Sequence, residues 1–463
     1  MTDRQGAALS GTGENLREIV LDLLLEWERG STFSHVLIRD TLSKYDYMGG
    51  REKAFVKRLA EGTLERQIEL DYILDGYASI PVKKMKPVIR WLLRMAVYQI
   101  LYMDGVPDSA AVNEAVKLAE KRKFQNLKGF VNGILRNVAK HKNDIAYPDA
   151  GKEPSRFLSV RYSMPIRLVE MWLESYDYDI VRRMLDAFLQ PRPVTVRLAG
   201  RLSGAEREKW QEDVEKTGVR IRPHSCMPQA FDLYGAEGAA SLPGYEEGFF
   251  TVQDVSSMLA VEAAGIKSGD FVLDVCAAPG GKTLLAAEKV LPGGRVEARD
   301  VSEARIGQIK ENLERMFLDN VSVKVYDASE PDLSAKGSAD VVLADVPCSG
   351  LGVIGKKQDI KYRLAEADFT SLTGLQRAIV SQAAGYVKEG GVLLYSTCTI
   401  NRQENEEMVD WICEHFPFAA EDIGPYLPKN LWGQAAENGF MQLLPGIHDC
   451  DGFFFARLKK TAE

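Results

Sequence analysis

The chain has 463 residues, of which 45% are hydrophobic and 27% charged, with a formal net charge of −8. This length allows two to four domains of ordinary globular composition, and no apolar run is long enough to predict a membrane span. Residues 1–15 lack the features of a secretory signal, and the six cysteines form no Cys-x-x-Cys pair, so we expect a cytoplasmic protein without a metal site or disulfide framework.

Residues 1–142 are predicted to form a helical domain. Apolar residues recur at helical spacing in stretches that begin at Leu16, Val88 and Val131. Positive charge is concentrated here, with a net of +4 over residues 1–140 and −12 over the rest. It forms two clusters, Lys83, Lys84, Lys86, Arg90 and Arg94, and Lys117, Lys121, Arg122, Lys123 and Lys128. One such cluster is commonly a solvated helix surface, whereas two in an acidic chain favour a phosphate-binding face.

The remainder of the chain is predicted to contain a linker and two further domains. Residues 143–155 have linker composition, and residues 156–242 mix helical and strand-like patterns, which predicts a small α+β module. From residue 243 to 463, strand candidates alternate with helices. The strand candidates are 271–276, 295–299, 321–326, 340–345 and 391–396. This alternation predicts a Rossmann-like α/β domain with a doubly wound parallel sheet.

The first strand candidate of this domain leads into a glycine turn that begins a helix. The turn comprises Cys276, Ala277, Ala278, Pro279, Gly280, Gly281 and Lys282. It is not a phosphate loop, because Cys276 occupies the position where that motif requires glycine, and the dinucleotide pattern Gly-x-Gly-x-x-Gly is also absent. Backbone amides in such a turn, together with a helix N-terminus, favour binding of a carboxylate.

Acidic residues follow at the ends of later strand candidates. Asp300 lies 26 residues after Asp274, close to the spacing at which an acidic group binds ribose hydroxyls. Asp327 and Asp345 end the next two strand candidates. One aspartate alone is more commonly a helix cap, but three at successive strand ends favour a ligand site. A ligand with a carboxylate, a ribose and an adenine fits S-adenosylmethionine.

Two cysteines, Cys348 and Cys398, each follow a strand candidate. The carboxyl ends of neighbouring parallel strands face one crevice, so these thiols are predicted to converge beside the cofactor turn. Such a pair suits covalent catalysis at a ring carbon, since adding a thiolate to C6 of a pyrimidine makes C5 nucleophilic. Asp345 could stabilise the adduct near N3, and Lys282 could supply the positive field that activates a thiol. The residues alone do not choose between the two thiols.

These motifs resemble those of the Sun-type RNA (cytosine-5) methyltransferases, and among them the bacterial enzymes of 16S ribosomal RNA that carry a NusB-like domain. The similarity runs nearly end to end. Its marks in the helical domain are Phe55-Val-Lys-Arg-Leu, Arg90-Trp-Leu-Leu-Arg-Met-Ala and Lys128-Gly-Phe-Val-Asn-Gly-Ile-Leu-Arg136. The string Phe250-Thr-Val-Gln-Asp-Val-Ser-Ser257 also matches. Residues 156–242 resemble the small N-terminal extension of the catalytic core.

The resemblance implies a role for each motif. S-adenosylmethionine would be held by the turn from Cys276 to Lys282, with Asp300 on the ribose, Asp327 near the adenine and Asp345 in the Asp-x-Pro-Cys motif. Cys398 would attack the cytosine and Cys348 would assist product release. The implied substrate is 16S ribosomal RNA, and a monomer without metal or membrane is expected. Two alternatives remain: the same chemistry on tRNA or 23S ribosomal RNA, and a non-catalytic RNA-binding factor of ribosome assembly.

Overall fold

The computed structural model describes residues 15–30, 32–236 and 238–462. Two compact units are present, Met1–Leu189 with Ile354–Arg363, and Gln190–Val353 with Leu364–Glu463. Their division does not coincide with the predicted boundaries at residues 142 and 242. Residues 1–14, from which the absence of a secretory signal was predicted, lie outside the described part. None of the helices in the described ranges is long and apolar enough to cross a membrane.

The first unit is built from α-helices. They are α1 Leu16–Arg29, α2 Ser34–Lys44, α3 Gly50–Glu65, α4 Gln67–Tyr77, α5 Pro87–Tyr102, α6 Asp108–Lys121, α7 Lys128–Lys140, α8 Pro154–Arg161, α9 Ile166–Leu173 and α10 Tyr178–Leu189. The apolar stripes predicted from helical spacing lie in α1, α5 and α7 and contribute to one hydrophobic core. Trp91 of α5 is fully buried in that core. The stripes are therefore structural.

The predicted linker is bound to the helical unit by hydrogen bonds. The Tyr147 hydroxyl donates to Glu69 Oε1 at 2.5 Å, and the Tyr72 hydroxyl of α4 donates to the carbonyl of Ala146 at 2.9 Å. Lys142 forms an ion pair with Asp108 of α6 at 2.8 Å. A segment with linker composition is thus fixed to a helix surface by its tyrosine.

The second unit contains all strands of the described residues and, with one exception, the remaining helices. The helices are α11 Gly204–Glu215, α12 Val255–Ala263, α13 Gly281–Lys289, α14 Glu303–Met316, α15 Ile360–Arg363 (which belongs to the first unit), α16 Glu366–Tyr386, α17 Glu406–His415 and α18 Gln434–Glu437. The strands are β1 Val194–Leu198, β2 Arg220–Pro223, β3 Ala230–Tyr234, β4 Phe250–Val252, β5 Phe271–Asp274, β6 Arg295–Asp300, β7 Val321–Val325, β8 Ala339–Asp345, β9 Val387–Thr397, β10 Phe418–Ala420, β11 Phe440–Leu443 and β12 Phe453–Lys460.

Two sheets organise the second unit. The small sheet is antiparallel with the order β2-β3-β1-β4, and the large sheet has the order β10-β12-β9-β8-β5-β6-β7, with β11 paired to β12. Strands β9, β8, β5, β6 and β7 are mutually parallel, as predicted. The antiparallel strands β10, β11 and β12 were not predicted, so the sheet is mixed. Strand β5 ends at Asp274, which places Cys276 in the turn and corrects the prediction of a strand over 271–276.

A ten-residue segment of the sequence between β8 and β9 belongs to the helical unit. The chain leaves the second unit after Val353 and returns at Leu364. Within the first unit, buried Asp359 accepts hydrogen bonds from Trp27 Nε1 at 3.1 Å and from the Ser34 amide at 2.8 Å. Lys361 donates to two backbone carbonyls at 2.7 and 2.8 Å, and burial lowers its pKa to about 7. Hydrogen bonds of two buried charged side chains, Asp359 and Lys361, thus hold this segment in the helical unit.

Candidate active site

The carboxyl ends of the five parallel strands bring the predicted site residues to one edge of the sheet. Strand β5 runs into the turn of residues 276–282, and β6 ends at Asp300. Strand β8 ends at Asp345, three residues before Cys348, and β9 ends one residue before Cys398. Since β8 pairs with both β5 and β9, the turn and the two thiols arise from adjacent strands.

The two thiols lie in contact, with 3.3 Å between Cys348 Sγ and Cys398 Sγ. Both side chains are half-buried. The amide of Gly352 donates to the carbonyl of Cys398 at 3.0 Å, which joins the two turns by their backbones. The hydrogen bond with Cys398 and burial raise the pKa of the Cys348 thiol well above its ordinary value, and the negative charge of Glu404 adds to the shift.

Lys282 and Asp345 form an ion pair next to the turn. Lys282 Nζ lies 2.8 Å from Asp345 Oδ2 and 4.8 Å from the centre of the Phe453 ring. Ser396 of β9, which is opposite Asp345 in the sheet register, donates to Asp345 Oδ1 at 2.9 Å. The charge of Lys282 is therefore balanced by Asp345, and the carboxylate is held from two sides.

The turn itself has the conformation that its glycines permit. Gly280 has a φ of +107°, a left-handed value that favours glycine, and α13 begins at the next residue. The amide of Ala278 donates to Asp300 Oδ2 at 3.2 Å, so the acidic group at the end of β6 is tied to the turn. The first amides of α13 have no partner within the helix and are available to an anionic ligand.

A cavity lies against this turn. It is lined by Val252, Gln253, Asp254, Ser257, Asp274, Cys276, Ala277, Ala278, Pro279, Gly281, Lys282 and Asp345. Asp274 forms part of its wall, accepts a hydrogen bond from Thr283 at 2.7 Å and has a pKa raised to about 7 by burial. Asp327 is not part of this lining: it is exposed and accepts two hydrogen bonds from Ser329, which lower the pKa of its carboxyl.

Gln253 was not among the predicted site residues, although it lies in the string Phe250 to Ser257 that resembles the methyltransferase family. Buried Arg197 of β1 donates from Nε to Gln253 Oε1 at 2.8 Å, and a second Arg197 nitrogen pairs with Glu288 at 2.6 Å. This contact fixes the orientation of the Gln253 amide. Its Nε2 is buried without a hydrogen-bond partner in the described residues, and the side chain lines the cavity. An unpaired amide donor beside the N-terminus of α13 fits a ligand that carries a carboxylate.

The structure reduces the basic surface predicted for the helical unit. In the second cluster, Lys117, Lys121, Arg122 and Lys128 all form ion pairs with carboxylates of α1 or α6. In the first cluster, Arg90 pairs with Glu28 and buried Arg94 pairs with Asp71. The exposed lysines of the clusters that form no ion pair with the described residues are Lys83, Lys84, Lys86 and Lys123. The positive charge without an ion-pair partner in the described residues is therefore smaller than the sequence suggested, and most of it lies in the turn before α5.

Known proteins match both units. A family model described as 16S rRNA methyltransferase RsmB/F matches residues 263–459, and the NusB family model matches residues 14–140. The probable ribosomal RNA small subunit methyltransferase B of Bacillus subtilis (strain 168) is 32% identical, over 96% of this chain and 99% of its own length. This chain belongs to the ribosomal RNA small subunit methyltransferase B family. The methyltransferase therefore uses S-adenosylmethionine as its cofactor, and its predicted fold class is confirmed.

Solved structures agree with this fold. The crystal structure described as PH0851 has a TM-score of 0.77 and 25% identity, and covers 96% of the methyltransferase and 98% of its own chain. NSun6 from Pyrococcus horikoshii, solved with SFG, has a TM-score of 0.57 and 22% identity, over 64% of the methyltransferase and 97% of its own chain. The likeness to NSun6 shows the fold alone.

Proposed function

We propose that this methyltransferase transfers a methyl group from S-adenosylmethionine to C5 of a cytosine in 16S ribosomal RNA, through a covalent bond between Cys398 and C6. The observation that carries the proposal is the pair of thiols, 3.3 Å apart, on the turns after neighbouring parallel strands. The match to small subunit methyltransferase B supports the choice of RNA. A ribosomal RNA substrate also supports the assignment of the enzyme to the cytoplasm.

The reaction needs little from the protein beyond a nucleophile, a placed carboxylate and an aligned donor. S-adenosylmethionine supplies an electrophilic methyl group on a sulfonium sulfur. Cys398, as a thiolate, gives an electron pair to C6, and the electrons of the C5=C6 bond become available at C5. C5 then takes the methyl group as the S–CH3 bond breaks, and the donor sulfur keeps that electron pair and leaves as a neutral thioether. The C5 proton then passes to water, the C5=C6 bond re-forms and the C6–S bond breaks. Asp345, held by Lys282 and Ser396, is assigned to the N3 edge of the ring.

The cofactor is assigned to the turn from Cys276 to Lys282, with Asp300 on the ribose side. The amides at the start of α13 suit the carboxylate of the methionine moiety, and the link from Ala278 to Asp300 holds the two subsites together. Asp327 remains assigned to the adenine end, at the exposed end of β7. The target base would have to leave its stack to reach the thiols, as is common for enzymes that modify bases.

The product test uses 16S ribosomal RNA transcribed without modifications, together with tritiated S-adenosylmethionine. We expect tritium in 16S RNA, and bisulfite sequencing of the product should show one newly protected cytosine. 23S ribosomal RNA and bulk tRNA serve as matched substrates and should remain unlabelled. Label in either of those RNAs, or on a position that bisulfite does not report, would contradict the proposal. Absence of label in every RNA, with cofactor binding intact, would favour a non-catalytic assembly factor.

Gln253 is assigned to the carboxylate of S-adenosylmethionine, because its side chain lines the cavity beside the turn and its amide nitrogen has no hydrogen-bond partner among the described residues. A hydrogen bond to a charged group contributes roughly 1.5–3 kcal/mol, so Gln253→Ala should weaken S-adenosylmethionine binding about tenfold or more. Binding of 5′-methylthioadenosine, which lacks the carboxylate, should not change. Titration calorimetry of both compounds measures this difference, and Gln211→Ala on α11 is the control. An equal loss of affinity for the two compounds would show that the Gln253 amide does not bind the carboxylate.

A further inference from the structure

Glu404 is a buried carboxylate that the reaction described above does not use. It exposes 0% of its surface, and it lies in the loop between β9 and α17, six residues after Cys398. Its carboxylate receives hydrogen bonds from the Ser349 amide, Gln376 Nε2 and Asn401 Nδ2, each at 2.9 Å, and from the Ser349 hydroxyl. Three of these groups are N–H donors, and all four are neutral. Such a set is built to hold an anion in place.

The donors connect Glu404 to the residues next to the two thiols. Ser349 directly follows Cys348, and its hydroxyl also lies 2.6 Å from the hydroxyl of Thr399, which directly follows Cys398. Gln376 of α16 donates to Glu404 and also to the carbonyl of Pro347, at 2.9 Å in each case. The residues on both sides of Cys348 are thus held by one cluster. Cys348, whose Sγ lies 3.3 Å from Cys398 Sγ, is thus flanked by residues of that cluster.

The cluster also places negative charge on one side of the thiol pair. The ionisable groups that face Cys348 are Cys398, Glu404 and the Tyr395 hydroxyl, which donates to the carbonyl of Glu404 at 2.6 Å. The hydrogen bond with Cys398 and the burial of Cys348 raise the pKa of the Cys348 thiol. The negative charge of Glu404 raises it further, because an anion at Cys348 would be repelled by this buried carboxylate. The surroundings of Cys348 therefore disfavour loss of its proton.

We propose that Glu404 is a positioning residue that holds the two thiols in contact and makes Cys398, and not Cys348, the sulfur that attacks the base. This inference rests on the proposed function. Cys398 loses its proton to water before attack, and its electron pair forms the S–C6 bond. Cys348 keeps its own proton throughout and donates a hydrogen bond to the Cys398 sulfur, both before attack and when the C6–S bond breaks. The sequence could not choose between the thiols, and the buried carboxylate supplies the choice.

The test measures the order of thiol reactivity without RNA, so its failure is distinct from failure of the proposed function. The unaltered enzyme is alkylated with iodoacetamide across a pH series, and the two cysteines are quantified by mass spectrometry. Cys398 should react at a pH at least one unit below Cys348, which is about a tenfold difference in rate at a fixed pH between the two transitions. Equal profiles, or Cys348 reacting first, would overturn the proposal whatever the variants do.

Variants of Glu404 and Ser349 test whether Glu404 determines which of the two thiols reacts first. Glu404→Gln removes the charge, so the Cys348 profile should move toward lower pH and kcat should fall by about 10²-fold, with an unchanged KM for S-adenosylmethionine. Ser349→Ala keeps the charge but removes one hydrogen bond, so kcat should fall while Cys398 still reacts first. Exposed Glu407→Gln on α17 is the matched control and should behave as the parent in both assays. A folded Glu404→Gln variant with the parental alkylation profile, or Ser349→Ala with the order lost, would refute the assignment to Glu404.

Discussion

The Cys398→Ala variant is expected to lose methyl transfer by roughly 10⁴-fold or more, because no group remains to form the bond to C6 that makes C5 nucleophilic. Removing the nucleophile leaves cofactor binding and base positioning, which cannot by themselves activate a carbon of the aromatic ring. The measurement is single-turnover transfer of tritium from S-adenosylmethionine to unmodified 16S ribosomal RNA. The dissociation constant of S-adenosylmethionine should remain within about twofold, since Cys398 is not among the residues that line the cavity to which the cofactor is assigned.

The matched control for this variant is Cys413→Ala. Cys413 lies on α17 rather than at the end of a parallel strand, and its burial raises the pKa of its thiol, so it has no route to the chemistry. Its variant should retain full activity. If Cys398→Ala methylates at the parental rate while Cys348→Ala does not, the roles of the two sulfurs are exchanged, and the inference about Glu404 fails with them. If both variants are active, neither sulfur alone is required, and the assignment of Cys398 as the nucleophile is wrong.

The fold class followed from the sequence because the signals were local. A buried parallel strand reads as a short apolar run, and a turn residue marks its end, so the runs before Asp345 and Cys398 were recognisable without any tertiary information. The geometry of a parallel sheet then requires that neighbouring strand ends lie at one edge. No strand was predicted from the sequence for β10, β11 and β12, which pair antiparallel at the end of the chain and lie outside the alternation of strands and helices.

The roles of buried polar residues were not accessible from the sequence. Gln253 and Glu404 are ordinary surface residue types, and only their partners, Arg197 in one case and Ser349 in the other, show that they are fixed inside the fold. The partners lie 56 and 55 residues away, so no spacing rule connects them. Asp359 is a similar case, since nothing local indicates that its carboxylate is buried in the helical unit.

The basic clusters show the opposite error, because a count of charges in one stretch of sequence overestimated the free positive charge of the helical unit. Arg122 pairs with Glu18 and Asp22 of α1, about one hundred residues earlier in the chain. Charge counted in one stretch of sequence does not include such a distant partner, so the two basic clusters overstated the free positive charge. The lysines of the turn before α5 are exposed, and they keep the prediction of a phosphate-binding face for that part of the helical unit.

The Cys348→Ala variant is expected to accumulate a covalent protein–RNA complex that survives denaturing electrophoresis. Attack by Cys398 and methyl transfer need no contribution from the Cys348 proton beyond orientation, so the adduct should form. Its breakdown requires Cys398 to leave as a thiolate, and the Cys348 thiol, 3.3 Å away, is the hydrogen-bond donor placed to stabilise that leaving sulfur. Without it, release should slow by about 10²-fold or more, and the adduct should be the main RNA species at one equivalent of enzyme.

The double variant Cys348→Ala with Cys398→Ala separates this explanation from a general trapping of RNA. It should form no adduct, because the bond that resists denaturation is the one from Cys398 to C6. Mass spectrometry of the digested Cys348→Ala complex should find a methylated cytidine attached to the peptide that contains Cys398. A folded Cys348→Ala enzyme that turns over without an adduct would show that the departing thiolate is stabilised by another group. Ser349→Ala would then be the informative comparison, since it disturbs the same turn and leaves both sulfurs in place.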